Sequence, residues 1–116
     1  MKSIIDTVIS KETARLFNKE NYIYPVEYCW VGEKLIDINR AIDEDSILKA
    51  PSLSMILKFL REERGIIITP TPISGNKWMS EVYIQNDGKL ILTGNQIYGN
   101  SWEEVVEEQI KNIYNE

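Results

Sequence analysis

Four stretches carry residues whose type and spacing could do chemistry. Asp43-Glu44-Asp45 places three acids in succession, and hard cations such as calcium and magnesium take oxygen ligands. A calcium loop sets its acids at alternating positions around a central glycine, with a distal glutamate. The run "DEDSILKA" has none of that order, so it reads as an acidic loop capping the helix that follows. Cys29 is the only thiol. A nucleophilic thiolate needs a cationic or histidine neighbour to lower its pKa, and this chain has no histidine. The same absence removes the Ser-His-Asp and Cys-His mechanisms and the commonest zinc ligand. Flanked by Tyr28 and Trp30, Cys29 reads as a half-buried structural residue. Glu103, Glu104, Glu107 and Glu108 could imitate the phosphates of DNA, but Lys111 interrupts them and they read as a solvated helix face. "GNQIYGN" lacks the order of a phosphate-binding loop.

A fifth set is chemically inert but adhesive: Tyr22, Tyr24, Tyr28, Trp30, Trp78, Met79 and Tyr83. Aromatic residues and methionine are enriched at the cores of protein interfaces. Met79, Tyr83 and Glu81 fall on one face of a predicted strand and Tyr28 and Trp30 on one face of another; these five are the candidate protein interface. The competing reading is that most of the set fills the core.

The chain of 116 residues fits one globular domain, spanning residues 1–116, with 43% hydrophobic and 27% charged residues. Its net charge of −5, with basic and acidic residues interspersed as in Lys58, Arg61, Glu62, Glu63 and Arg64, argues against nucleic acid. Apolar runs are too short for a signal peptide or a membrane span, and one cysteine fits a reducing compartment; the expected location is the cytoplasm.

The elements that must position these residues follow from caps and periodicity. Ser10 starts a helix reaching about Glu20, with Thr13, Leu16 and Phe17 inward. The aromatic and β-branched residues of "YIYPVEYCWVGEKLIDI" predict a strand, with Val26, Tyr28 and Trp30 on one face and Glu27, Cys29 and Val31 on the other. Gly32-Glu33 turns it into a short strand at Lys34–Ile38. Pro51 opens a second helix whose Leu53, Ile56, Leu57 and Leu60 form an apolar stripe, and Gly65 ends it. Pro70 and Pro72, two apart in "IIITPTPI", lack N–H groups on the same side, which places that strand at a sheet edge; the run Ile66–Thr69 then offers an edge to another chain. Lys77–Gln85 and Lys89–Thr93 form a hairpin across Asp87-Gly88. Ser101 and Glu104 make a capping box for a last helix with Trp102, Val106, Ile110 and Ile113 inward. The fold class is α+β: a largely antiparallel sheet of about five strands, three helices packed on one face, in the order α-β-β-α-β-β-β-α.

Three of these segments, "ISKETARLF", "APSLSMILKFLREERGI" and "SWEEVVEEQI", resemble a family of small uncharacterised proteins encoded by phages, prophages and conjugative elements of Bacteroidetes-type bacteria. Its members show "SxETAxLL", "PTxxxxxxWLRE" and "YEEAxExxI"-like helices. The resemblance covers about a third of the chain. Ser52 stands for the usual threonine, Phe59 for tryptophan, Trp102 for tyrosine and Leu16-Phe17 for a double leucine. It implies a mobile-element origin and a compact helix-and-sheet domain, and carries over no catalytic residue.

The function expected is therefore that of a non-enzymatic accessory or protein-interaction module of a phage or mobile element. It would need no cofactor and would act on a partner protein or on itself as a homodimer. The alternatives are a nucleic-acid-associated regulator, signalled by a basic patch at Lys58, Arg61 and Arg64, and a metal-dependent enzyme using carboxylates such as Asp37 or Asp43.

Overall fold

The computed structural model describes residues 8–40 and 47–115. Among the described residues, three helices and seven antiparallel strands make an α+β fold, and the strands divide into two sheets. One has three strands in the order β2-β1-β3, built from β1 (Tyr28–Val31), β2 (Lys34–Asp37) and β3 (Ile47–Lys49). The other has β4 (Ile66–Pro72), β5 (Trp78–Asn86), β6 (Lys89–Leu92) and β7 (Ile97–Gly99). β5 is its centre, with β4 on one side and both β6 and β7 on the other. The five-strand expectation thus lacks two members. β3 lies in the polar connection before the second helix and β7 inside the glycine-rich loop, and three residues are too few to show a period of two.

Each helix begins at a serine. Ser10 Oγ accepts the Thr13 N–H at the start of α1 (Lys11–Phe17). Ser52 Oγ accepts the Met55 N–H at the start of α2 (Leu53–Phe59). Pro51 therefore precedes the cap instead of entering the first turn, and its carbonyl accepts the Ile9 N–H. Ser101 Oγ accepts the Glu104 N–H at the start of α3 (Trp102–Tyr114). The Glu104 carboxylate reaches back to the Asn100 N–H, one residue earlier than a standard capping box. α1 is shorter than its pattern predicts, ending at Phe17 with Ala14 buried in place of Leu16. α2 runs into a π-helical turn, Leu60–Arg64, closed by Gly65 at φ 66°.

The core joins all three helices to the larger sheet. Phe17, Leu53, Ile56, Phe59 and Leu60 meet Ile68 and Val82 of β4 and β5 and Val106 and Ile110 of α3. Aromatic rings stack edge-on through it: Phe17 against Phe59, Tyr22 and Tyr114. α3 carries the chain's most telling polar contacts. The fully buried Gln109 donates Nε2–H to Ser80 O (3.2 Å) and to Asn95 O (2.7 Å), and buried Ser80 Oγ donates to Val105 O (2.9 Å). These bonds fix α3 across one face of β5.

Candidate interaction surface

Fixing α3 on one face decides what the other face shows. In an antiparallel ladder, residues directly opposite project to the same side. Ser80 and Val82 point toward α3, so Met79, Glu81 and Tyr83 point away from it. Their partners in register are Thr71, Thr69 and Ile67 on β4, Leu92 on β6 and Tyr98 on β7; Gln85 adds Leu90. The outward face thus gathers Ile67, Met79, Tyr83, Leu90, Leu92 and Tyr98, and among the described residues no helix or strand packs over it. Leu90, Leu92 and Tyr98 are 56%, 47% and 63% exposed. Glu81 is tied by Gln96 Nε2–H at 3.0 Å, and Gln96 Oε1 in turn faces the Tyr98 hydroxyl at 3.4 Å, a polar strip within an apolar field. Contiguous exposed apolar residues rimmed by polar ones are the kind of surface that serves contact with another molecule.

The five predicted interface residues do not come together. Met79, Glu81 and Tyr83 share this face, but Tyr28 and Trp30 belong to β1 in the other sheet. Trp30 packs against the core and donates Nε1–H to Ile9 O at 3.1 Å. Tyr28 is 40% exposed and lines a groove of about 900 Å³ with Val26, Leu35, Pro51 and Met55. Tyr22 and Tyr24 belong to the aromatic cluster around Phe59. The Tyr22 hydroxyl is buried without a hydrogen-bond partner, and burial pushes it up to about 12. Alternation along one strand reveals its two faces, but not the sheet it joins.

Most of the described acidic and basic candidates are engaged internally. Asp43, Glu44 and Asp45 lie outside the described residues. Asp37 Oδ1 accepts the Asn39 N–H (2.8 Å), capping the 3₁₀ turn Ile38–Arg40. Glu107, read from sequence as solvated, accepts the Ser10 N–H (2.6 Å) and the Thr13 hydroxyl (2.8 Å), which ties α3 to α1. Glu108 and Glu12 both pair with Lys111. A phosphate mimic would need these glutamates unpaired. Arg64 forks onto Glu20, with Nη2 to Oε1 at 2.7 Å and Nε to Oε2 at 3.1 Å, and the Tyr114 hydroxyl donates to Glu20 Oε2 at 2.6 Å. Burial raises the Glu20 pKa, but the hydrogen bonds from Arg64 and Tyr114 and the Arg64 charge outweigh it and hold the group below its ordinary value. Lys58 lies over the Tyr24 ring, and the Tyr24 hydroxyl donates to Glu62 at 2.5 Å. Of the predicted basic patch, only Arg61 remains outside such contacts.

Cys29 is fully buried rather than half-buried. Desolvation, with a smaller contribution from Asp37, pushes its thiol up, the opposite of what a nucleophile needs. Among the described residues no three Cys, Asp or Glu side chains gather as a metal site. No described helix is long and apolar enough to cross a membrane. No family model matches the chain, and neither does any curated protein or solved structure.

Proposed function

We propose that the protein is a non-enzymatic interaction module that acts by contact through the outward face of the four-stranded sheet. The observation that carries this reading is the apolar field of Met79, Tyr83, Leu90, Leu92 and Tyr98 on the face opposite α3. The internal pairing of Glu20, Glu107 and Arg64 supports it, because those groups serve the fold and not a substrate. The resemblance of the three helical segments supports a phage or mobile-element setting, in the cytoplasm of the host.

The test is capture with tagged protein from a host lysate that also contains an untagged copy of the chain. The control is a Met79→Glu, Tyr83→Lys double variant with unchanged circular dichroism and melting temperature. One dominant partner, a host protein or the untagged copy, retained by the wild type and lost by the variant is the expected result. Equal recovery of every protein by both would refute the reading. A rise in melting temperature with magnesium, manganese or zinc ions would instead favour a metal-dependent enzyme.

A further inference from the structure

The two edges of the four-stranded sheet are built differently. The bonds Gln85 N–H to Gly65 O (2.8 Å) and Ile73 N–H to Lys77 O (2.9 Å) direct the odd-numbered residues of β4 toward β5. The even-numbered ones turn outward, and Pro70 and Pro72 are among them, so that edge lacks two donors. On the far side, Thr93 N–H to Val82 O (3.0 Å) directs the odd-numbered residues of β6 toward β5. Leu90 and Leu92 therefore turn their N–H and C=O groups outward, and no proline stands there. The same two leucines project onto the outward face, and Ile91, on the opposite face, is 50% exposed. Among the described residues nothing covers β6 along its outer edge, and its side chains are exposed on both faces.

We infer that this edge is occupied by a second copy of the chain, β6 pairing antiparallel with β6 about a two-fold axis at Ile91. The inference rests on the interaction reading above and names its partner. Hydrogen-bond parity is one reason. Centring the pair on Ile91 sets Leu90 opposite the partner's Leu92 and the reverse, and those are the residues whose backbone groups face out. Side chains match as well: leucine meets leucine on one face, and Ile91 meets itself on the other. Charge is the third reason. Two copies at −5 each repel, yet from Gly88 to Trp102 the one charged residue is Lys89, which this register sets opposite Thr93 and not opposite itself. A surface that satisfies backbone, side-chain and charge matching under one two-fold axis is the isologous kind that closes a dimer. So short a strand pair falls at or below the small end of stable interfaces, roughly 1,200 Å² in total, so association should be in the micromolar range.

Sedimentation over about two decades of concentration centred near ~50 μM tests it. The wild type should show a monomer–dimer equilibrium. Leu92→Pro removes only an outward donor, as Pro70 and Pro72 do on the other edge, and should raise the dissociation constant at least tenfold. Leu90→Lys should do the same and keeps the test alive if the proline variant fails to fold. Ile91→Cys should form an intermolecular disulfide under mild oxidation, because directly opposed residues of a non-hydrogen-bonded pair lie within disulfide reach; Leu90→Cys should not. Native Cys29 is buried and gives no background. A wild type that stays monomeric, a dimer indifferent to both edge variants, or equal cross-linking at positions 90 and 91 would each overturn the inference. A monomer that still captures a host protein, lost on Met79→Glu, Tyr83→Lys, overturns the second copy and leaves the interaction reading standing. A monomer that captures nothing overturns both.

Discussion

Truncating Phe59 separates the structural spine of the protein from its surface. The ring is 1% exposed and lies 5.7 Å from Phe17, 5.2 Å from Tyr22 and 5.9 Å from Tyr24, with the Arg64 guanidinium 5.1 Å from its centroid. Phe59→Ala empties the point where α1, α2 and the segment before β1 meet, at a cost of about 3–5 kcal/mol. Phe59→Leu refills most of the volume but removes three ring contacts, each adding about 0.5–1.5 kcal/mol beyond buried area, so about 1–3 kcal/mol is expected with some repacking. At about 4 °C per kcal/mol for a domain of this size, the melting temperature should fall by about 12–20 °C for alanine and about 4–12 °C for leucine. The assay is urea unfolding followed by tryptophan fluorescence, with the slope m checked for constancy. A Phe59→Leu protein as stable as the wild type would refute the ring-contact part of the reasoning, and equal losses for alanine and leucine would refute the cavity part. A Phe59→Leu protein that folds but no longer binds a partner or itself would refute the assignment of α2 to the fold alone.

The Glu20 carboxyl, held below its ordinary value of 4.5, releases its proton more readily folded than unfolded. Its stabilising contribution is complete above pH ~4.5 and is lost as pH falls through the lowered value, so Glu20→Gln should flatten the acid limb of the stability curve; identical limbs would contradict the network. Gly99→Ala would set a Cβ 2.7 Å from Glu104 Oε2 and 3.0 Å from Val105 Cγ1. It should break the bond from Asn100 and lower stability by about 1 kcal/mol, and a melting temperature equal to that of the wild type would count against that cap. Cys29, buried and with its thiol pushed up, should react with an aromatic disulfide reagent only as fast as the protein opens; labelling of the native protein at the rate of the urea-unfolded chain would show the thiol to be accessible.

Local chemistry was the legible part of this fold. Ser10, Ser101 and Gly65 mark helix ends because a cap is a one-turn event, and Asp87-Gly88 marks a hairpin because both residues take positive φ, 52° and 77°. Pro70 and Pro72 located an edge strand because an absent N–H has only one consequence in a ladder. The partition into two sheets was not legible, since nothing in "EYCWV" says whether it pairs with β3 or with β5. For the same reason the sequence does not separate Tyr28 and Trp30 from the sheet of Met79 and Tyr83, which they do not join. Gln109 does carry a signal in the sequence: it falls three residues after Val106 and four before Ile113, inside the apolar stripe. The face of Met79 and Tyr83 could be read from alternation along β5, whereas the exposure of Leu90, Ile91 and Leu92 could not. An apolar strand looks the same in sequence whether or not something covers it.

The prolines of β4 limit the size of an assembly built by edge pairing of the four-stranded sheet. A sheet open at both edges behaves like a bifunctional monomer, and each addition creates a new growing end. With Pro70 and Pro72 on β4 and an unblocked β6, this sheet carries a single reactive end. Joining two copies through β6 leaves the proline-bearing β4 edge at either flank, so further growth of this sheet is disfavoured beyond two.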